Sequence, residues 1–345
     1  MRKEYTTVDL LKFFFSICIV GLHTSLLHSD ESFPAWLACS LVFRTAVPYF
    51  FIISGYFLAG KIYVIERIDR KNIRAVTRNY CNKLLPPLAF WGTLGLFIDL
   101  ANQLRKGTDV RTIILYICKS FFYPRNAMWF LLALIIGTIL LTELYLRVKR
   151  WYICWMCISV VGYAIVLLCN NYYFIVESTF LGNIARMFIN VCSSARNGIF
   201  FAPCFIGVGF VIRADRVQKA LYNHRIVIWV GMVLGVVLLL SEASFIYDLS
   251  YLDDRGVFVS QLLLVPCIAV ISIMYQVKMP LPYKRLRRLS SSIYYIHRTA
   301  RVAVLLIPFY NGNTTILFFA TLLLTLLVAA VSYQMKNEKI HMIFG

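Results

Sequence analysis

The sequence predicts an all-α polytopic membrane protein of about ten transmembrane helices with both termini cytoplasmic. Three observations predict it. Hydrophobic residues make up 60% of the 345-residue chain and charged residues 15%, with a mean hydropathy of +0.73, more apolar surface than one soluble core can hide. The apolar residues fall into stretches long enough to cross a bilayer, near 9–28, 38–60, 84–101, 127–146, 151–170, 198–213, 225–245, 256–276, 290–309 and 314–333. When the connections are assigned alternately inside and outside, 23 of the 35 basic residues fall inside, 8 outside and 4 within spans, as the positive-inside rule requires.

That distribution also accounts for the formal net charge of +19. The charge orients the chain in the membrane and excludes nucleic acid as a partner. The first span opens within ten residues of Met1 and lacks a small-residue cleavage site, so it reads as an uncleaved helix. The basic connection 61–83 follows the second span and reads as a cytoplasmic anchor. The connections 102–126 and 171–197 are half apolar but too short to span, and are expected on the membrane surface or re-entering the protein. No internal repeat is visible, and no soluble domain is expected at either end: residues 1–345 read as one integral membrane domain. Ten scattered cysteines rule out a secreted disulfide framework. Cys154 and Cys157 form a CxxC, but with no second ligand pair nearby they read as packing residues, and no metal is expected.

Ionisable groups inside the apolar spans are costly by roughly 2.5–3.5 kcal/mol each, so they mark function. Asp9, Lys12, Ser16 and His23 fall within a sector of about 60° on the first helix. His23 stands roughly 21 Å beyond Asp9, in the outer half of the bilayer. Arg44 enters the second span at a similar depth, and Pro48 is expected to bend that helix and open a cavity. In the ninth span Tyr294, His297, Arg298 and Arg301 share a face in the inner half. Two polar levels result: His23 with Arg44 outside, and Lys12 with His297, Arg298 and Arg301 inside. A basic inner level suits a phosphate-bearing donor, and an outer histidine suits a general base on a hydroxyl. The competing structural roles are an interhelical hydrogen bond for His23 and snorkelling for Arg298 and Arg301. Asp99, Glu143 and Glu242, near span ends, read as interfacial.

These residues resemble acyltransferase family 3 membrane proteins over essentially the whole chain. Val8-Asp9-Leu10-Leu11-Lys12 and Val20-Gly21-Leu22-His23 are similar to the family's first helix, with Lys12 where Arg is more usual. Val47-Pro48-Tyr49-Phe50-Phe51-Ile52-Ile53-Ser54-Gly55-Tyr56-Phe57 resembles the second-helix signature and is the most specific segment. Lys83-Leu84-Leu85-Pro86, Met128-Trp129-Phe130-Leu131 and Ser292-Ile293-Tyr294-Tyr295-Ile296-His297 match further helices, although Tyr80 replaces the basic residue usual three positions before Lys83. The resemblance implies a bacterial inner-membrane enzyme. It implies acetyl-CoA or another acyl-CoA as donor, and the hydroxyl of an envelope carbohydrate or lipid-linked sugar as acceptor. In that reading His23 and Arg44 are catalytic, and Lys12, Lys83, His297, Arg298 and Arg301 hold coenzyme A. The rival class is a transporter or flippase for a lipid-linked sugar, whose charged residues line a path without chemistry.

Overall fold

The computed structural model describes residues 4–27, 32–124, 127–278, 283–307, 312–335 and 338–344. Arg2, Lys3, Arg125 and Lys336, counted among the loop cations, lie outside the described residues, as do positions 308 and 309 of the expected ninth span. The described chain is helical and contains no strand. In order, it forms α1 (Thr6–His23), α2 (Phe33–Ala38), a π-turn (Cys39–Phe43), α3 (Ala46–Ile62), α4 (Arg70–Arg105), α5 (Val110–Phe122), α6 (Trp129–Arg147) and α7 (Trp151–Leu168). There follow α8 (Phe180–Cys192), α9 (Ala202–Arg213), α10 (Asp215–Asn223), α11 (Arg225–Phe245), α12 (Gln261–Met274), α13 (Tyr283–Leu305), α14 (Thr314–Gln334) and α15 (Glu338–Phe344).

Every expected span coincides with a helix, but among the described residues only seven runs are long and apolar enough to cross a bilayer: α1, Phe33–Ile62, α4, α6, α7, α11 and α14. The other three differ for identifiable reasons. The stretch 198–213 is helical only over the 12 residues of α9, because Asn197 Oδ1 accepts from the Ile199 and Phe200 amides at 2.9 and 3.0 Å and holds that segment in a turn. The stretch 256–276 is shortened to the 14 residues of α12, with the Glu242 carboxylate accepting from Val259 and Ser260 amides at 2.6 and 2.8 Å. Glu242 also accepts the Tyr172 hydroxyl at 2.7 Å. Helix α13 has 23 residues but carries Arg285, Arg287, Arg288, Arg298 and Arg301 among its apolar ones.

Two further expectations need correction. The connection 61–83 is not all loop, because α4 begins at Arg70, where the Asp69 carboxylate accepts the Asn72 amide at 3.1 Å. The helix then runs on through Pro86 and Pro87. The irregularity in the second span is not at Pro48, which lies in the first turn of α3, where its missing N–H has no intrahelical acceptor to lose. The break lies earlier, in the π-turn and in Arg44-Thr45. The half-apolar connections 102–126 and 171–197 each form a 13-residue helix, α5 and α8, with exposed apolar residues such as Ile114, Leu115, Leu181 and Met187.

The chain forms two compact units: Met1–Ala46 with Lys83–Trp129 and Val277–Gly345, and Val47–Asn82 with Phe130–Gln276. In the first unit α13 packs between α1 and α14, around buried Val20, Ile293 and Phe318. Trp91 Nε1 donates to the Ile343 carbonyl at 2.9 Å and ties α15 to α4. In the second unit α3 and α9 touch backbone to backbone. A Cβ on Gly55 would meet the Ile206 carbonyl oxygen at 2.2 Å, and one on Gly209 the Ile52 oxygen at 2.1 Å. Close approach through small residues is how apolar helices gain contact where lipid offers no hydrophobic gain. Phe51, Phe130, Phe201 and Phe205 fill the space beside this contact. Glu143 accepts two hydrogen bonds from Arg74 at 2.7 and 2.8 Å and a third from Arg147 at 3.0 Å.

Candidate active site

The site grows from the contact between α1 and α13. Near the start of both helices, Arg287 Nε and Nη2 donate to the Asp9 carboxylate at 2.9 and 2.8 Å. Ser290 Oγ then donates to the Lys12 carbonyl at 2.9 Å. Beyond the apolar Val20–Ile293 contact, the rings of His23 and His297 stack with centroids 5.2 Å apart and planes at 24°. Contacts advance in the same sense along both helices, so α1 and α13 run parallel.

His297 is completely buried. Its Nδ1 lies 3.0 Å from the Ile293 carbonyl and 2.8 Å from that of Tyr294. Both partners are acceptors, so Nδ1 carries the proton and Nε2 of the neutral ring carries a lone pair. Nε2 has no hydrogen-bond partner among the described residues. The turn that supplies these carbonyls is held by Tyr294, whose hydroxyl donates to the Ala127 carbonyl.

Arg44 arrives from the second span. The π-turn presses Phe43 so closely on α1 that a Cβ on Gly21 would stand 2.9 Å from its ring. Arg44 follows directly, its amide bonded to the Cys39 carbonyl at 3.1 Å. Single π-turns recur at functional sites. Among the described residues, His297, Arg298, Arg44 and Arg301 act electrostatically on His23. Guanidinium groups beside the imidazoles can stabilise negative charge developing on a reacting oxygen.

The expected separation into two polar levels does not hold. His297 meets His23, and Arg298 and Arg301 join them. Lys12 keeps company instead with Asp9 and Arg287. The misplacement has a physical origin: α13 begins at Tyr283, but its first turns carry Arg285, Arg287 and Arg288, so hydropathy starts the span too late and sets His297 too shallow. Arg287 builds the site without having been expected there. The signal for it was Asp9 itself, since a buried carboxylate requires a cation and 278–289 held five. Lys83 is exposed on α4, with no hydrogen bond or ion pair among the described residues.

The acyltransferase domain family profile matches residues 5–334, nearly the whole chain. The chain belongs to the acyltransferase 3 family. It is also 27% identical, over 98% of its length, to 47% of an amino-acid racemase of Enterococcus faecalis. It is 25% identical, over 70% of its length, to 33% of a serine/alanine racemase of Enterococcus gallinarum. The chain thus spans about half or less of the curated relatives it matches, and no solved structure matches it.

In this chain the second-helix segment Val47–Phe57 is mainly a packing element: Tyr49, Phe51, Ile52, Ile53 and Tyr56 are buried, and Gly55 gives α9 its close approach. The cysteines of the CxxC in α7 are both free, and no group of three His, Cys, Asp or Glu fit to hold a metal occurs among the described residues. The polar chemistry of the first unit is concentrated on α1, the π-turn and α13.

Proposed function

We propose that this membrane acyltransferase moves an acyl group, acetyl in the simplest case, from acyl-CoA to a hydroxyl of an envelope carbohydrate or lipid-linked sugar at the bacterial inner membrane. The observation that carries the reading is the His23–His297 stack inside a cluster of three arginines. One imidazole takes the proton of the acceptor hydroxyl as its oxygen attacks the thioester carbon, and returns it to the departing thiolate. Arg44 stabilises the oxyanion of the tetrahedral intermediate. Arg298 and Arg301, with Lys12 and Lys83 further off, attract the donor phosphates, Lys12 and Lys83 as point charges. His297, read from sequence as a donor-binding residue, joins the proton-handling pair.

The test is transfer of labelled acetyl from acetyl-CoA to envelope glycans by the purified protein. His23→Ala should remove it while the protein still inserts and purifies as a monodisperse species. Retained transfer in a well-folded variant would sink the assignment.

The names of the relatives support a second reading, in which the chain is a membrane module that handles an amino acid, without acyl transfer. The alignment over 98% of this chain with an amino-acid racemase favours it. Uptake of labelled serine or alanine into proteoliposomes, with no acetyl transfer in the same preparation, would select it.

A further inference from the structure

The second unit carries two adjoining cavities at the end where α6 stops, α7 begins and α9 gives way to α10. The larger, ≈ 830 Å³, is lined by Tyr63, Arg67, Tyr145, Trp151, Trp155 and Arg216, with Tyr152 and Met156 at its side. The smaller, ≈ 510 Å³, shares Arg67 and adds Arg70, Arg147 and Lys149. Among the described residues, no carboxylate lines either one.

Arg67 is a fixed part of the wall between them. It donates to the Tyr145, Val148 and Lys149 carbonyls at the end of α6 and lies 4.9 Å over the Tyr145 ring. Arg70, Lys149 and Arg216 come from three different segments and are exposed. The floor is aromatic: Tyr145 and Trp151 are 5.7 Å apart, as are Tyr63 and Tyr145. The lateral wall opens on α7, where Tyr152 is 50% and Met156 54% exposed and the helix continues outward-facing through Val160. This helix is apolar enough to cross a bilayer, so that wall faces hydrocarbon. A cationic rim above an apolar, laterally open floor suits a molecule with an anionic head and fatty tails better than a water-soluble anion.

We propose that the two cavities form a binding site for one anionic phospholipid. Its phosphate diester lies among Arg70, Lys149 and Arg216, and its acyl chains run along Trp155 and Met156. None of these residues belongs to the His23–His297 site, so the proposal stands apart from the acyl-transfer reading.

Native mass spectrometry of the detergent-purified chain, titrated with phosphatidylglycerol or phosphatidylcholine, tests it. One phosphatidylglycerol should be retained with about tenfold preference or more, and the triple variant R70Q/K149Q/R216Q should lose that preference. Arg216→Gln alone, at an exposed position, should lower it by a smaller factor at an unchanged melting temperature, and decides the matter if the triple variant misfolds. Equal retention of the two lipids by the wild type, or an unaltered preference in the Arg216→Gln variant, overturns the proposal. Displacement of the lipid by coenzyme A or by inorganic phosphate at matched concentration overturns it too, in favour of a nucleotide or a simple anion site.

Discussion

The α1–α13 contact of the first unit and the α3–α9 contact of the second solve the same problem by opposite means. Between α3 and α9 the helices meet through Gly55 and Gly209, with no room for a methyl group. Between α1 and α13 they meet through an ion pair, a side-chain bond to a backbone carbonyl and two stacked imidazoles. The first contact yields cohesion from dispersion alone. The second gathers groups that are expensive to bury, which in the proposed reaction act on the substrate. Stability and chemistry are thus concentrated in different helix pairs, and substitutions should separate them.

The largest effect is expected on the apolar side. Gly209→Ala forces a methyl into backbone atoms at 2.1 and 2.6 Å and should cost about 3 kcal/mol or more, seen as loss of the monodisperse peak in fluorescence-detected size exclusion. On the polar side His23→Ala and His297→Ala should each lower acetyl transfer by about 10²-fold or more, with the melting temperature little changed. If either histidine variant instead fails to fold while Gly209→Ala folds normally, the division of labour is wrong.

A third pair of variants probes the ion pair itself. The Asp9 side chain is 4% exposed and that of Arg287 is 55% exposed. Arg287→Ala leaves a carboxylate buried and should cost about 3 kcal/mol. Asp9→Ala leaves a cation that water can solvate and should cost about 1 kcal/mol. Equal shifts in thermal melts would show that the carboxylate is not shielded from water.

The smallest effect lies in a loop. Burial pushes the Asp253 carboxyl above its usual range, with Arg196 opposing and Asp254 adding to the rise. The folded protein therefore holds this proton more tightly than the unfolded chain. Its contribution is complete below the ordinary carboxylate pKa and is lost as pH rises through the raised value. Asp253→Asn should flatten the decline of melting temperature across that acidic window, and a profile parallel to wild type would refute it.

Much of this was legible in the sequence. Each of the ten apolar stretches coincides with a helix, seven of them long and apolar enough to cross a bilayer among the described residues, and the stripe from Asp9 to His23 identified the face of α1 that meets α13. The features that escaped had one cause, because apolar windows see neither polar helix ends nor side-chain caps. The charged first turns of α13 hid the depth of His297, and Asn197 and Glu242 shortened two segments without changing their composition. Pro48 drew attention as a breaker, whereas the break is a π-turn of ordinary residues, Cys39-Ser40-Leu41-Val42-Phe43. Asp9 signalled the need for a cation, but the choice of Arg287 among the five basic residues of 278–289 is decided by packing across 278 positions.

That π-turn has a consequence for how the chain tolerates change. A π-turn is one residue longer than the helical turn it replaces, which is a phase offset of about 100° between the helical segments on its two sides. Trp36 is buried before it, and Arg44, which acts electrostatically on His23, follows directly after it. Deleting one residue within 39–43 would leave hydropathy, charge and length nearly untouched, yet would turn Arg44 away from the imidazoles.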